Sequence, residues 1–402
     1  MFQRIIHRLF RRRHYWRTVS FDEIAELYAS RLMTTFAINI VNLFAAVYLY
    51  ELGYSIVFIA LFYAGWYLFK IPFSVLAARY TAYYGPKHAI LLANILRIPS
   101  LVAFAFASDQ GLIAVLIFGM FQQMSAAMYD IGYLVDFSKV KHSDHAGKEI
   151  GTMQVMEKAA KIISPLVGGV IAAVYSPQIT IIVAGIVFAL AALPLLRTIE
   201  PTATRIKLKI AGFPWRHAWQ SLLSQSVVGF DFVTSGMVWT LFIMLFIFSS
   251  LGPDVYAALG GLASLGVFVS MVAAWTFGQI VDKHKGGVLL TAGTIANTVI
   301  HLFRPFTLTT TGVLGVNIAS ETATSAYAMP FTRVIFDIAD SYGYRIVYVM
   351  FIEMAVNLGA AAACIVLALS VHTLGVEQGM KLTFFAAAAY ELILLISRRA
   401  AR

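Results

Sequence analysis

Apolar residues in this chain do not alternate with polar ones. They run together in blocks of about 20 residues, each long enough as a helix to cross a hydrocarbon core of roughly 30 Å. Short polar or glycine- and proline-containing breaks separate the blocks. The pattern predicts spans at 31–50, 55–78, 88–107, 112–135, 150–174 and 178–196, then at 226–249, 255–279, 287–304, 312–335, 346–370 and 381–397. Barrel strands do not fit, because these runs are about twice the length of such a strand and lack its alternation. A helix also satisfies its own backbone polar groups, which lipid cannot do.

The blocks fall into two sets of six, divided by a polar stretch from Arg197 to Arg216. That stretch carries five basic residues (Arg197, Arg205, Lys207, Lys209, Arg216) and one acid, Glu200. The two sets echo one another. ELGYSIVFIAL (51–61) corresponds to SLGPDVYAALG (250–260), and HAILLANIL (88–96) to GGVLLTAGT (286–294). Tyr129 corresponds to Tyr327, and Glu157 to Glu353, at a nearly constant offset. Duplicated halves related by an axis along the membrane normal are a recurring plan of secondary transporters. The predicted fold is an all-α integral membrane protein of twelve transmembrane helices in two pseudo-symmetric six-helix bundles. Its parts are a basic arm (1–28), a first bundle (29–196), a central loop (197–225), a second bundle (226–397) and a tail (398–402).

Charge fixes the expected orientation. With the N-terminus inside, alternate loops and the ends hold 23 of the 30 Lys and Arg residues, and the opposite side holds only Arg304 and Lys381. This bias places both termini in the cytoplasm of a cell membrane. It also accounts for the net charge of +10 without nucleic acid. Composition agrees: 60% of residues are hydrophobic and 12% charged, with mean hydropathy +0.78. The arm could lie on anionic lipid or simply set topology. The single Cys364 excludes an intrachain disulfide.

The loop Gly278-Gln-Ile-Val-Asp282-Lys283-His-Lys285 resembles the G-x-x-x-D-[RK]-x-G-[RK] signature of the major facilitator superfamily, with Lys285 where glycine is usual. The first-half copy, from Ala78 and Arg79 to Gly85 and Lys87, is degraded, with Ala82 in the acidic position. Ser164-Pro165-Leu-Val-Gly168-Gly169 is similar to the proline- and glycine-rich fifth helix of many exporters in that superfamily. The resemblance implies close helix packing at Gly278, a gate-stabilising role for Asp282 and a cytoplasmic partner role for Lys283. It further implies that the first, fourth, seventh and tenth helices line a central cavity.

Ionisable side chains at membrane depth are costly and need a reason. Glu157 and Lys161 stand four apart with the acid first, the favourable order for a pair within one helix. Two readings stay open: a structural pair with Lys158 reaching the interface, or Glu157 and Glu353 as symmetry-related gate or proton-coupling carboxylates. Candidate cavity residues are Thr35, Asn39 and Asn42 on the first span, and Gln122, Gln123, Ser125 and Asp130 on the fourth. Asp231, Thr234, Ser235 and Trp239 follow on the seventh, and Glu321, Thr322, Thr324 and Ser325 on the tenth. Glu321 is the leading single candidate for substrate or proton binding. Arg97, mid-way along the third span, either holds an anionic substrate group or pairs with a carboxylate such as Asp130 or Glu321. Arg304 is expected to reach the outer interface. Arg333 and Asp337 are spaced for a gate pair near the cytoplasmic mouth. The His142, Asp144 and His145 cluster reads as a solvated loop rather than a metal site.

No nucleotide-binding, hydrolase or zinc signature occurs in the sequence. An enzyme and a bound cofactor or metal are not expected. The expected function is secondary active transport of a small organic solute by alternating access, proton-coupled, with export as one direction, in a monomer embedded in membrane lipid. Alternatives are a non-transporting sensor or scaffold on the same fold and a lipid-acting membrane enzyme.

Overall fold

The computed structural model describes residues 21–42, 44–140, 146–196, 205, 207–208, 210–282, 286–341 and 345–399. Among the described residues there are twelve principal helices, two of them interrupted, and no strand. The first half consists of α1 (Phe21–Val41, resumed as Ala45–Glu51), α2 (Ile56–Tyr84), α3 (Pro86–Ala105), α4 (Ala107–Val140), α5 (Ala146–Val174) and α6 (Pro177–Ala192). The second begins with α7, which runs Trp215–Val233, passes through a π-helical turn at Thr234–Val238 and continues as Trp239–Phe246. It continues with α8 (Val255–Asp282), α9 (Gly286–Phe303), α10 (Thr310–Ser341), α11 (Arg345–Leu374) and α12 (Val376–Glu391). Among the described residues, nine helical stretches are individually long and apolar enough to cross a membrane, and α6 is apolar but only 16 residues long.

Local chemistry sets the helix limits. Ser55 and Ser176 cap α2 and α6 by accepting hydrogen bonds from the backbone N–H groups of Phe58 and Ile179. The turn from α2 to α3 is one residue, Gly85 at φ 97°, followed by Pro86 at the first helical position. Gly111 has non-helical angles, so α4 proper starts beside it, close to the predicted boundary at 112. The seventh span begins at Trp215, earlier than predicted, because Trp215 and Phe213 pack on Phe351 of α11.

The halves meet where α2 packs on α11 and α5 on α8. We call the end where α1 terminates at Glu51 the far end and the opposite one the near end. At the far end the two halves touch backbone to backbone. A Cβ on Gly169 of α5 would lie 2.4 Å from the Tyr256 carbonyl oxygen, and one on Gly260 of α8 would lie 2.3 Å from that of Pro165. Tyr256 also donates a hydrogen bond to Glu51 and packs edge-on against Phe44. Such close approach needs small residues. A single apolar core, including Ile40, Phe104, Phe242, Tyr256 and Leu367, runs through both halves here.

Candidate functional site

Among the described residues, ion-paired side chains inside the bundles form three groups. The first lies between the halves. Lys70, midway along the apolar α2, is buried and bridges two acids. Its Nζ is 2.7 Å from Asp130 Oδ2 on α4 of its own half and 3.2 Å from Glu353 Oε2 on α11 of the other. Ser74, one turn on, donates back to the Lys70 carbonyl. Lys158 of α5 crosses to the second half as well, donating to the Ser270 carbonyl of α8 at 3.2 Å.

The second group belongs to the first half. Arg31 of α1 donates to Tyr129 Oη at 2.7 Å and to Glu157 Oε1 at 2.8 Å, and its guanidinium lies over the Tyr133 ring. Lys161 completes the pair with Glu157 at 3.0 Å.

The third is buried within the second half, beside the π-helical turn of α7. Asp231 Oδ1 accepts from Ser235 at 2.6 Å and lies 2.8 Å from His301 Nε2, while Oδ2 accepts from Tyr327 Oη at 2.7 Å. Arg304 donates to Ser235 and Ser320, each at 2.8 Å, and reaches His301 Nδ1 at 3.3 Å. One tautomer satisfies the whole set: His301 donates from Nε2 to Asp231 and accepts at Nδ1 from Arg304. Glu391 of α12, also buried, accepts from Asn297 at 3.1 Å. Asp231, His301 and Glu391 bring ligand atoms within 4.8 Å of one another, close enough to hold a metal ion. The guanidinium beside the imidazole already supplies positive charge, and His301 Nε2 and Asp231 Oδ1 face each other, so the donor set fits an ion-pair network better than a cation site.

The remaining predicted residues are distributed as follows. Thr35 is buried, and Asn39 donates to the Thr35 carbonyl, a bond within one helix. Asn42 is exposed and accepts from Gln122 at 3.5 Å, while Gln122 is also near Ser100 Oγ at 3.4 Å. Gln123 is buried. Ser125 ties α4 to the Ala93 carbonyl of α3. Thr234 and Thr322 bond to their preceding turns. Trp239 donates to Asn317 at 2.6 Å. Glu321 is half-buried beside Gly266 of α8 and makes no hydrogen bond or ion pair among the described residues. The surroundings of Gly278, the side chains of Asp282, Arg333 and Asp337, and the whole of Lys283, His142, Asp144 and His145 lie outside what the structure describes.

Three expectations are corrected. Arg304 does not reach the interface: it turns inward because Ser235, Ser320 and the Trp239 ring give its charge partners there. Lys158 does not extend to the interface either, since a carbonyl of the opposite half lies within reach. Arg97 pairs with neither Asp130 nor Glu321, because Lys70 holds Asp130 and the Arg97 guanidinium lies 5.2 Å from the Phe188 ring centre. Lys70, Arg31 and His301 escaped the sequence reading. The signal for each was the same, a lone cation or imidazole inside a predicted span or at its edge.

This architecture agrees with the comparisons. The Major Facilitator Superfamily family model matches residues 27–364, and the chain belongs to that family. It is a multi-pass membrane transporter and not an enzyme. Among solved structures, a bacterial homologue of the iron transporter ferroportin in an inward-facing state aligns with TM-score 0.70 and 12% identity, over 96% of this chain and 100% of that one. A POT family transporter in complex with a thioalcohol-conjugated peptide aligns at 0.73 and 11%, over 94% and 96%. The nucleoside transporter NupG aligns at 0.66 and 11%, over 94% and 98%. At these identities the likeness concerns the fold alone. No curated protein matches the sequence.

Proposed function

We propose that this protein is a secondary active transporter that carries a small organic solute between its two halves by alternating access, driven by protons. The observation that carries this reading is the Lys70 bridge. A cation buried between Asp130 of one half and Glu353 of the other ties two bundles at membrane depth. Rocking of one half against the other must part Lys70 from at least one acid, and a proton or a charged solute can take its place. Half-buried Glu321, without a partner among the described residues, is the second acidic group suited to exchange a proton or contact solute. The basic bias of the near-end segments supports a cytoplasmic near end, with both termini there and the protein a monomer in the cell membrane. In that orientation the close packing at Gly169, Gly260 and Tyr256 seals the outer side. Export is the direction we favour, because Pro165, Gly168 and Gly169 lie where the exporter-like fifth helix meets α1 and α8.

Uptake into proteoliposomes, measured across a solute panel with and without an imposed pH gradient, tests the proposal. Gradient-dependent flux in the wild type, lost in Lys70→Met and in Glu321→Gln, is the expected result. A protein that binds solutes yet moves none under any gradient would be a sensor on a transporter fold, and the reading would fall.

A further inference from the structure

Arg97 is 4% exposed, and Asn94, one turn earlier on the same buried face of α3, is 1% exposed. Neither Arg97 Nε nor Asn94 Nδ2 has a hydrogen-bond partner among the described residues, and both atoms are enclosed. Arg31 and Arg304 each make several hydrogen bonds, whereas Arg97 makes no hydrogen bond or ion pair among the described residues and only overlies Phe188. The candidate acids are engaged with other partners or face another helix. Asp130 is held by Lys70, Glu157 by Arg31 and Lys161, and Glu321 faces α8.

An unpaired guanidinium at membrane depth is among the costliest arrangements a bundle can hold, and such residues mark substrate pathways. Both orphaned atoms are donors and neither can accept. What completes them must therefore supply acceptor oxygens, and a guanidinium selects a charged, planar or tetrahedral oxyanion over a neutral carbonyl. The surroundings match. Ser100 Oγ bonds to the Phe118 carbonyl and Ser125 Oγ to the Ala93 carbonyl, fixing α3 against α4 on either side of Arg97. Gln122 and Gln123 occupy the same stretch of α4.

We propose that Arg97 and Asn94 form an oxyanion-recognition subsite in the first half, and that the ligand of this protein carries a carboxylate or phosphate group. Calling that ligand cargo rests on the transport reading; the subsite itself does not.

The test is thermal unfolding of the purified full-length protein in detergent at constant ionic strength. The probes are acetate and succinate in one arm and inorganic phosphate and glycerol 3-phosphate in the other, set against acetamide, succinamide and glycerol. At about a hundredfold excess over Kd, at least one acid should raise the wild-type midpoint by roughly 3 °C or more, with no rise from its neutral counterpart. The responding arm tells carboxylate from phosphate. Arg97→Met should abolish the shift, Asn94→Ala should weaken binding about tenfold, and Arg97→Lys should keep part of it. Without any probe, Arg97→Met should melt at or above the wild-type midpoint, since it removes an uncompensated buried charge. A wild type indifferent to every acid, a shift that survives Arg97→Met, or an Arg97→Met protein that melts well below wild type would each overturn the subsite. An intact acid shift alongside absent gradient-driven flux would overturn the transport reading and leave the subsite standing.

Discussion

Counted from their starts at Pro86 and Gly286, α3 and α9 bury equivalent stripes with opposite chemistry. In α3 the stripe is Asn94, Arg97, Leu101 and Phe104; in α9 and the turn that follows it is Thr294, Asn297, His301 and Arg304. The far end of the first stripe is closed by rings, with Phe104 stacked on Phe118 at 3.9 Å and edge-on to Tyr48 at 5.2 Å. The corresponding turns of α9 are closed by charge: His301 meets Asp231, Arg304 donates to two serine hydroxyls, and Tyr327 donates to the same Asp231. One duplicated scaffold therefore solves the same packing problem twice. The second half surrounds its buried arginine with partners of its own. The first half gives Arg97 no hydrogen bond or ion pair among the described residues and sends Lys70 and Lys158 to the opposite bundle.

The comparison breaks most sharply at its two arginines. Asp231→Leu strips the acid from the Arg304 network, leaves that cation buried, and should destabilise the folded protein by about 3 kcal/mol or more. The readout is the thermal midpoint and the yield of monodisperse protein, with Asp231→Asn intermediate. Arg97→Met, by contrast, should cost no stability, and equal losses for the two variants would erase the distinction between the halves.

A second contrast separates contacts within a half from contacts between halves. A Cβ on Gly359 would fall 1.7 Å from the Ser226 carbonyl oxygen, and one on Gly229 would fall 1.9 Å from that of Val356, forcing α7 and α11 apart inside one bundle. Gly359→Val should therefore lower folded yield severalfold. Gly169→Val acts between bundles, so it should leave the protein folded and loosen only the far-end closure. Labelling of a cysteine introduced at Tyr256, in a Cys364→Ala background, should then accelerate, and unchanged labelling would deny that this contact is a seal.

Smaller effects refine the picture. A double-mutant cycle of Lys70→Ala and Glu353→Ala should show a coupling of about 1 kcal/mol, because the two residues bridge the halves directly. Purely additive effects on the thermal midpoint would remove Lys70 from the interface. Smallest of all, Tyr256→Phe removes one hydrogen bond to Glu51 and should cost ~1 kcal/mol or less, read as a slight fall in the thermal midpoint.

By itself the sequence determined the helices and their number. Spans in lipid are set by local hydrophobic length and by the demand that each segment satisfy its own backbone, so nearly every boundary needed only its neighbours along the chain. The repeat was legible for the same reason, and so was the close packing around Gly168 and Gly169, since a side chain's absence is a local fact. The pairing of charges was not legible. Nothing local says that Lys70 takes Asp130 and Glu353, that Arg304 turns toward Ser235 and His301, or that Arg97 is left without an acid. Those outcomes depend on which helices stand side by side and at what height, and a shift of one turn in any helix would reassign them. Tertiary structure decided the partners because electrostatic pairing is a property of position in space, whereas burial in lipid is a property of composition along the chain.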